Sequence, residues 1–322
     1  MSMYDENDIR RLVRATLAEL TAERSRSSSN ASAGAENQHS VLALDAFASA
    51  RRRGLAVDGR EGVAAAGVSA DGGLAPDVTA VPTSLEFHVP DPADRDGYLA
   101  MKQATAARLG VWRAGPRYNT WSMLHFRADH ATAQDAVFTD VPDEFIAGFV
   151  TGQSACSSRD EFLTRPDLGR QLSDETRASF DAKLPKGAKV TIAVADGLSS
   201  AAMVNVPDIV PAITQGLAGY GISVGPVPFV KYGRVGVMDD LGQLIGSDVI
   251  CLLIGERPGL ATAESMSAYI AYQPNPSRPE SWRTVVSNIY AGGTPPTEAG
   301  AHVATIIKKI LDERVSGVDL SL

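Results

Sequence analysis

Val249-Ile250-Cys251-Leu252-Leu253-Ile254-Gly255-Glu256-Arg257-Pro258-Gly259-Leu260 decides how the chain is read. Residues 249–254 are apolar without alternation, the pattern of a strand buried on both faces of a sheet. The Gly-Glu-Arg-Pro-Gly run that follows marks where the strand leaves the sheet. Open parallel sheets bind ligands just beyond the carboxyl ends of their strands, which places Glu256 and Arg257 at such an edge. Taken alone, the run reads equally well as a surface turn with two solvated charges.

The neighbouring sequence favours the sheet edge. Val190-Thr191-Ile192-Ala193-Val194-Ala195 is a second apolar run, ended by Asp196-Gly197-Leu198-Ser199. Residues 222–230 form a third, ended by Lys231-Tyr232-Gly233-Arg234-Val235. Helical spacing connects them, over 206–219 through Ile209, Val210, Ile213 and Leu217, and over 239–245. Residues 267–272 and 284–289 are further strand candidates. A last helix is expected from Thr294 as N-cap and Pro295 as first residue, with Gly317 beyond its end. Alternation of strand and helix over 188–316 predicts an α/β fold with an open parallel sheet covered by helices. The loops at Asp196 to Ser199, Arg234-Val235 and Glu256 would then form one rim.

Upstream, residues 7–24 predict an amphipathic helix through Ile9, Leu12, Val13, Leu17 and Leu20, and 25–85 read as a flexible linker. Residues 86–185 read as mainly helical, with a helix over 94–109, the turn Arg113-Ala114-Gly115-Pro116-Arg117, and one or two helices over 120–140. The Asp129-His130 pair reads as a surface cap rather than a catalytic dyad. Residues 186–322 then form the sheet domain.

The formal net charge of -8 argues against a general nucleic-acid binder. Cys251 lies inside an apolar run and Cys156 is the only other cysteine, which fits a reducing, cytoplasmic setting without disulfides. The five histidines show no zinc-type spacing, and neither a transmembrane-length apolar run nor a signal peptide is found.

No complete active site is legible. Gly219-Tyr220-Gly221 follows a helix and precedes a strand, the reverse of a dinucleotide fingerprint. Asp196 and Ser199 resemble part of a hydrolase set, but no Gly-x-Ser-x-Gly elbow accompanies them. A rim without its own catalytic set suggests a cofactor-holding or partner-dependent subunit.

The collinear series Arg113-Ala114-Gly115-Pro116-Arg117, Phe126-Arg127-Ala128-Asp129-His130, Leu163-Thr164-Arg165-Pro166-Asp167, Asp196-Gly197-Leu198-Ser199, Arg234-Val235, Gly255-Glu256-Arg257-Pro258-Gly259-Leu260, Ser287-Asn288-Ile289 and Gly292-Gly293-Thr294-Pro295-Pro296 closely resembles the small subunit family of ethanolamine ammonia-lyase. The resemblance covers about residues 87–322 and not 25–85. It implies a Rossmann-like domain that binds adenosylcobalamin against a large subunit, in an enzyme that converts ethanolamine to acetaldehyde and ammonia by radical chemistry. Carried over by position, Val235 and Glu256 match cobalamin contacts. Val285 stands where the family has a Cys, so only an apolar or backbone contact is expected there. Arg234, Asp196 and Ser199 join the candidate set from the rim, without catalytic residues or metal ligands. The absence of Asp-x-His-x-x-Gly agrees with a cofactor that keeps its own lower ligand.

A different reading, a non-catalytic cobalamin-binding or scaffold protein, stays open at this point. A nucleotide-dependent oxidoreductase is disfavoured by the missing glycine fingerprint. The helix expected over 7–24 resembles the encapsulation peptides of bacterial microcompartments, which implies a shell partner and a location inside such a compartment.

Overall fold

A computed structural model describes residues 85, 87–105 and 107–321. The helix expected over 7–24, the linker up to residue 84 and Ala106 lie outside the described residues.

Six strands form one mixed sheet in the order β3-β5-β4-β6-β7-β8: β3 (Val150–Gln153), β4 (Val190–Ala195), β5 (Pro228–Lys231), β6 (Val249–Gly255), β7 (Met266–Tyr272) and β8 (Thr284–Ile289). The first four in that order are mutually parallel, with Ala193 of β4 opposite Leu252 of β6. Every residue of β4 and β6 is buried, as their unbroken apolar runs require. β7 and β8 run antiparallel, so the sheet is parallel only over its first four strands. The cause is loop length: residues 256–265 are too few for the crossover of about a dozen residues that a parallel return needs.

The boundary expected at residues 185/186 runs through this sheet, because β3 pairs with β5. Val150-Thr151-Gly152-Gln153 is too short and too polar to show a strand period in sequence. The strand expected over 222–230 is confined to Pro228–Lys231. Pro226 and Pro228 lack the amides a longer ladder would use.

One face of the sheet carries α6 (Val206–Gly219) and α8 (Pro296–Glu313). Ile209, Ile213, Leu217, Val303, Ile307 and Ile310 are fully buried there, each contributing on the order of 2 kcal/mol. The two helices meet through small residues: a Cβ on Gly300 would stand 2.5 Å from the Ala212 Cβ. The other face carries α5 (Asp174–Lys183) and α7 (Val237–Ile245), which bury Phe180, Met238 and Leu241.

Thr294 does not cap α8. Its amide donates to Asn288 O at 2.9 Å and its carbonyl accepts from Tyr290 N at 3.1 Å, which ties off the end of β8. The helix ends at Arg314 in the left-handed region, before Gly317.

Ahead of the sheet lie α1 (Arg95–Gln103), capped by Asp94, the two-residue strands β1 (Arg113–Ala114) and β2 (Arg117–Tyr118), and α2 (Thr120–Phe138), capped by Asn119. The short helices α3 (Asp143–Ile146) and α4 (Arg159–Thr164) flank β3. α1 is shorter than the expected 94–109 helix, and α2 is a single helix. α2 exposes Met123, Leu124, Phe126 and Phe138 while burying Ser122 and His125. Among the described residues, no helix is long and apolar enough to cross a membrane.

Candidate functional site

The carboxyl ends of β4, β5 and β6 converge as the sequence predicts, and two glycines pin them. Gly197 has φ +60, and a Cβ there would meet Gly255 O at 2.3 Å. A Cβ on Gly255 would in turn lie 2.2 Å from Ser199 O and 2.5 Å from Asp196 O, both backbone atoms. Only glycine permits this crossing of the β4 and β6 loops. Leu198 N donates to Gly255 O at 3.2 Å across it.

The six candidate residues separate into two buried residues, one half-buried arginine and a group of three nearer the surface. Asp196 and Ser199 are fully buried and lock the loops together. Asp196 Oδ1 accepts from Gly233 N at 3.2 Å, tying the β4 end to the β5 end. The Ser199 hydroxyl donates to Ala263 O, tying the same end to the loop after β6. Asp196 Oδ2 has no hydrogen-bond partner and faces Arg159 Nη2 at 3.7 Å. Burial pushes the Asp196 carboxyl up to about 6, against the hydrogen bonds of the Tyr232 and Gly233 amides and the charge of Arg159.

Arg234 is half-buried and held from several sides. Its Nη2 donates to Phe162 O at 2.8 Å, its guanidinium lies 4.3 Å from the Phe162 ring centroid, and its amide donates to Gly169 O at 2.7 Å. Gly169 allows this approach, since a Cβ there would stand 2.6 Å from Arg234 Cγ. Burial lowers the Arg234 pKa, and the nearby Arg257 and Arg170 charges add to that.

Val235, Glu256 and Val285 form the last group, of which Val285 is exposed and Val235 and Glu256 are partly buried. Val235 and Tyr269 pack against the core on the α7 side of the sheet. Val285 is the register partner of Tyr269 and is 41% exposed, so it stands on that same face. Ser267 and Ser287 continue the face, with their hydroxyls 3.1 Å apart. Glu256 closes it: Oε1 accepts from Ser267 Oγ at 2.6 Å and from Asn288 N at 2.9 Å. Glu256 makes no ion pair with Arg257 among the described residues. The result is a shelf beside α7 over the β7–β8 pair, apolar at Tyr269 and Val285 and fitted at one end with a fixed carboxylate, with Val235 packed on the same side of the core.

Several contributors were invisible as site residues in the sequence. Ser267 and Asn288 orient Glu256, and Asn288 adopts φ 62, a conformation Asn tolerates better than most residues. Arg159 connects Asp140, at 2.6 Å, to Asp196 and lies 4.7 Å from the Tyr232 ring centroid. Burial raises the Asp140 carboxyl, but hydrogen bonds from Lys231 and Arg159 outweigh it and the net shift is downward. His130 stacks on Phe126 at 6.3 Å, and Asp129 pairs with Arg108 instead. Cys156 and Cys251 are free and buried, with Cys251 pushed up to about 12 by desolvation. Among the described residues, no group of three or more His, Cys, Asp or Glu is placed to hold a metal ion.

Comparison with known proteins bears on this arrangement. The sequence profile of the family "Ethanolamine ammonia-lyase light chain (EutC)" matches residues 95–321. An ethanolamine ammonia-lyase small subunit of Listeria monocytogenes serovar 1/2a is 54% identical over 251 residues, covering 77% of this chain and 86% of its own. One from Clostridium perfringens is 56% identical over 248 residues, covering 76% and 84%. One from Clostridium tetani is 47% identical over 323 residues, covering 99% and 100%. With a profile match spanning both the sheet and the helices ahead of it, the chain belongs to the family of ethanolamine ammonia-lyase small subunits, the lesser partner in a two-subunit lyase.

Proposed function

We propose that this chain is the small subunit of an adenosylcobalamin-dependent ethanolamine ammonia-lyase and that its shelf holds the cobalamin against the large subunit. The observation that carries the reading is the Glu256 carboxylate, fixed by Ser267 and Asn288 at the end of an exposed apolar face. A carboxylate accepts from amide N–H donors, and a corrin rim is lined with amide side arms. Val235 and Val285 suit the flat apolar face of such a ring. None of the three rim loops contains a histidine, so this chain offers no imidazole there as a lower cobalt ligand. The residues present therefore fit the group.

The chemistry supplied by bound adenosylcobalamin is radical initiation by cobalt–carbon homolysis. The part of this chain is to grip and orient. Glu256 accepts hydrogen bonds, the two valines exclude water, and the Gly197/Gly255 crossing with the Asp196 lock keeps the loops in register. The apolar side chains exposed along α2 suit a surface that a partner subunit covers.

Co-expression with a family large subunit tests the reading. Acetaldehyde release that requires both chains and adenosylcobalamin is expected. Tight cobalamin binding by this chain alone, with no lyase activity when the large subunit is supplied, would favour a non-catalytic cobalamin carrier.

A further inference from the structure

We propose that Ser287 is a further contact of the shelf and that, together with Glu256, it makes the polar end select ligand side arms ending in an amide over those ending in a carboxylate. The inference rests on the cobalamin reading above and adds to it a residue and a selectivity.

The polarity of this end follows from where its protons must go. Glu256, just past β6, Ser267 of β7 and Ser287 of β8 form one hydrogen-bonded row. An ionised carboxylate only accepts, and a serine hydroxyl carries a single proton. The Ser267 proton is committed to Glu256 Oε1 at 2.6 Å. The 3.1 Å contact between the Ser267 and Ser287 hydroxyls is then closed by the Ser287 proton. Ser267 is 2% exposed, so this donation gives its buried oxygen a partner and holds the Ser287 proton inward.

What remains on the row is acceptors. Ser287 is exposed and keeps its oxygen lone pairs toward solvent. Ser267 and Asn288 both donate to Oε1 of Glu256, and Oε2 accepts from none of the described residues. Neighbouring donors lie elsewhere. The Asn288 amide sits over the turn after β8, where a Cβ on Gly293 would stand 2.7 Å from Nδ2. Arg257 lies on the Arg234 side of the rim, where its charge lowers the Arg234 pKa. A primary amide brings two N–H donors, one for Glu256 Oε2 and one for Ser287 Oγ. A carboxylate brings no donor and sets a second negative charge against Glu256, so repulsion adds to the lost hydrogen bonds.

Equilibrium dialysis of the full chain assembled with its large subunit tests this by binding alone. The probes are cyanocobalamin and its monocarboxylic acids, in each of which one side-arm amide has become a carboxylate. At least one acid should bind the wild-type complex roughly tenfold or more weakly than cyanocobalamin, the scale of a hydrogen bond to a charged group. Glu256→Gln keeps an oxygen for Ser267 and Asn288 and adds a donor, and should cut the penalty on that same acid to about threefold or less. Ser287→Ala should reduce the penalty roughly threefold at unchanged Tm, the scale of a neutral hydrogen bond. Ser287→Thr, which retains the hydroxyl, should restore it. Ser287→Ala decides the matter if Glu256→Gln assembles poorly. Equal binding of cyanocobalamin and every acid, or a penalty unchanged in both Glu256→Gln and Ser287→Ala, would overturn the selectivity and leave the cobalamin reading standing. No binding of cyanocobalamin by the wild-type complex would overturn that reading and this inference with it.

Discussion

Ser267 donates its hydroxyl to the Glu256 carboxylate at 2.6 Å, across the antiparallel pair β6–β7. The same oxygen accepts from Asn288 N at 2.9 Å, so two strands outside the parallel part of the sheet aim this side chain. Glu256→Ala removes the acceptor and should weaken cobalamin binding by the assembled complex tenfold or more, taking about 1.5–3 kcal/mol for a hydrogen bond to a charged group. Ser267→Ala should cost roughly threefold by loosening the carboxylate, with little change in Tm. Equal affinity for wild type and Glu256→Ala would remove this residue from the site.

Val285→Cys gives a direct footprint of the shelf. Both native cysteines are fully buried, whereas position 285 is 41% exposed. The new thiol should react rapidly with a water-soluble disulfide reagent in the free chain. Adding adenosylcobalamin to the complex should protect it further than the large subunit alone does. Mass spectrometry of this chain distinguishes its thiols from those of the partner, and unchanged labelling on adding cobalamin would place the cofactor elsewhere.

Asp196 makes stability depend on pH in a stated direction. Its folded-state pKa, about 6, lies above the ordinary value of 3.8, because burial penalises the charged form. The stabilising contribution is therefore fully present below about pH 4 and is removed as pH rises through 6. Its size is on the order of 2–3 kcal/mol, from about 1.4 kcal/mol per pKa unit. Urea unfolding at pH 4.5 and 7 should show wild type losing stability relative to Asp196→Asn by about that amount. Parallel curves for the two proteins would refute the assignment.

Gly255→Ala should destabilise by about 2 kcal/mol or more, since its Cβ would press on two backbone carbonyls that cannot move independently. Gly259→Ala, in the same loop, meets only Thr262 O at 3.9 Å and should be nearly neutral. Thermal unfolding of the pair isolates the crossing of the β4 and β6 loops from general sensitivity of the loop.

We also propose that residues 1–24 address the complex to a microcompartment shell, on the strength of the apolar stripe through Ile9, Leu12, Val13, Leu17 and Leu20. Deleting them should leave lyase activity intact and abolish co-sedimentation with shells. Retained co-sedimentation would assign the address to another segment or to the partner.

The sequence by itself determined which segments sit in the middle of the sheet. Unbroken apolar runs such as Val190–Ala195 and Val249–Gly255 have no polar face to leave in water, so β4 and β6 had to be central. It also placed Glu256 at a strand end, because Gly and Pro punctuate the chain there. Only the tertiary structure decided that β7 and β8 return antiparallel, that Val150–Gln153 joins the sheet, and that α2 turns its polar stripe inward. It alone divided the candidates, sealing Asp196 and Ser199 as locks and leaving Val235 and Glu256 partly buried and Val285 exposed. The reason is physical. Burial on both faces is a property of one segment and leaves its mark in composition. Strand direction and side-chain partnership are settled by contacts between segments far apart in the chain, such as Glu256 with Asn288, and no local pattern encodes them.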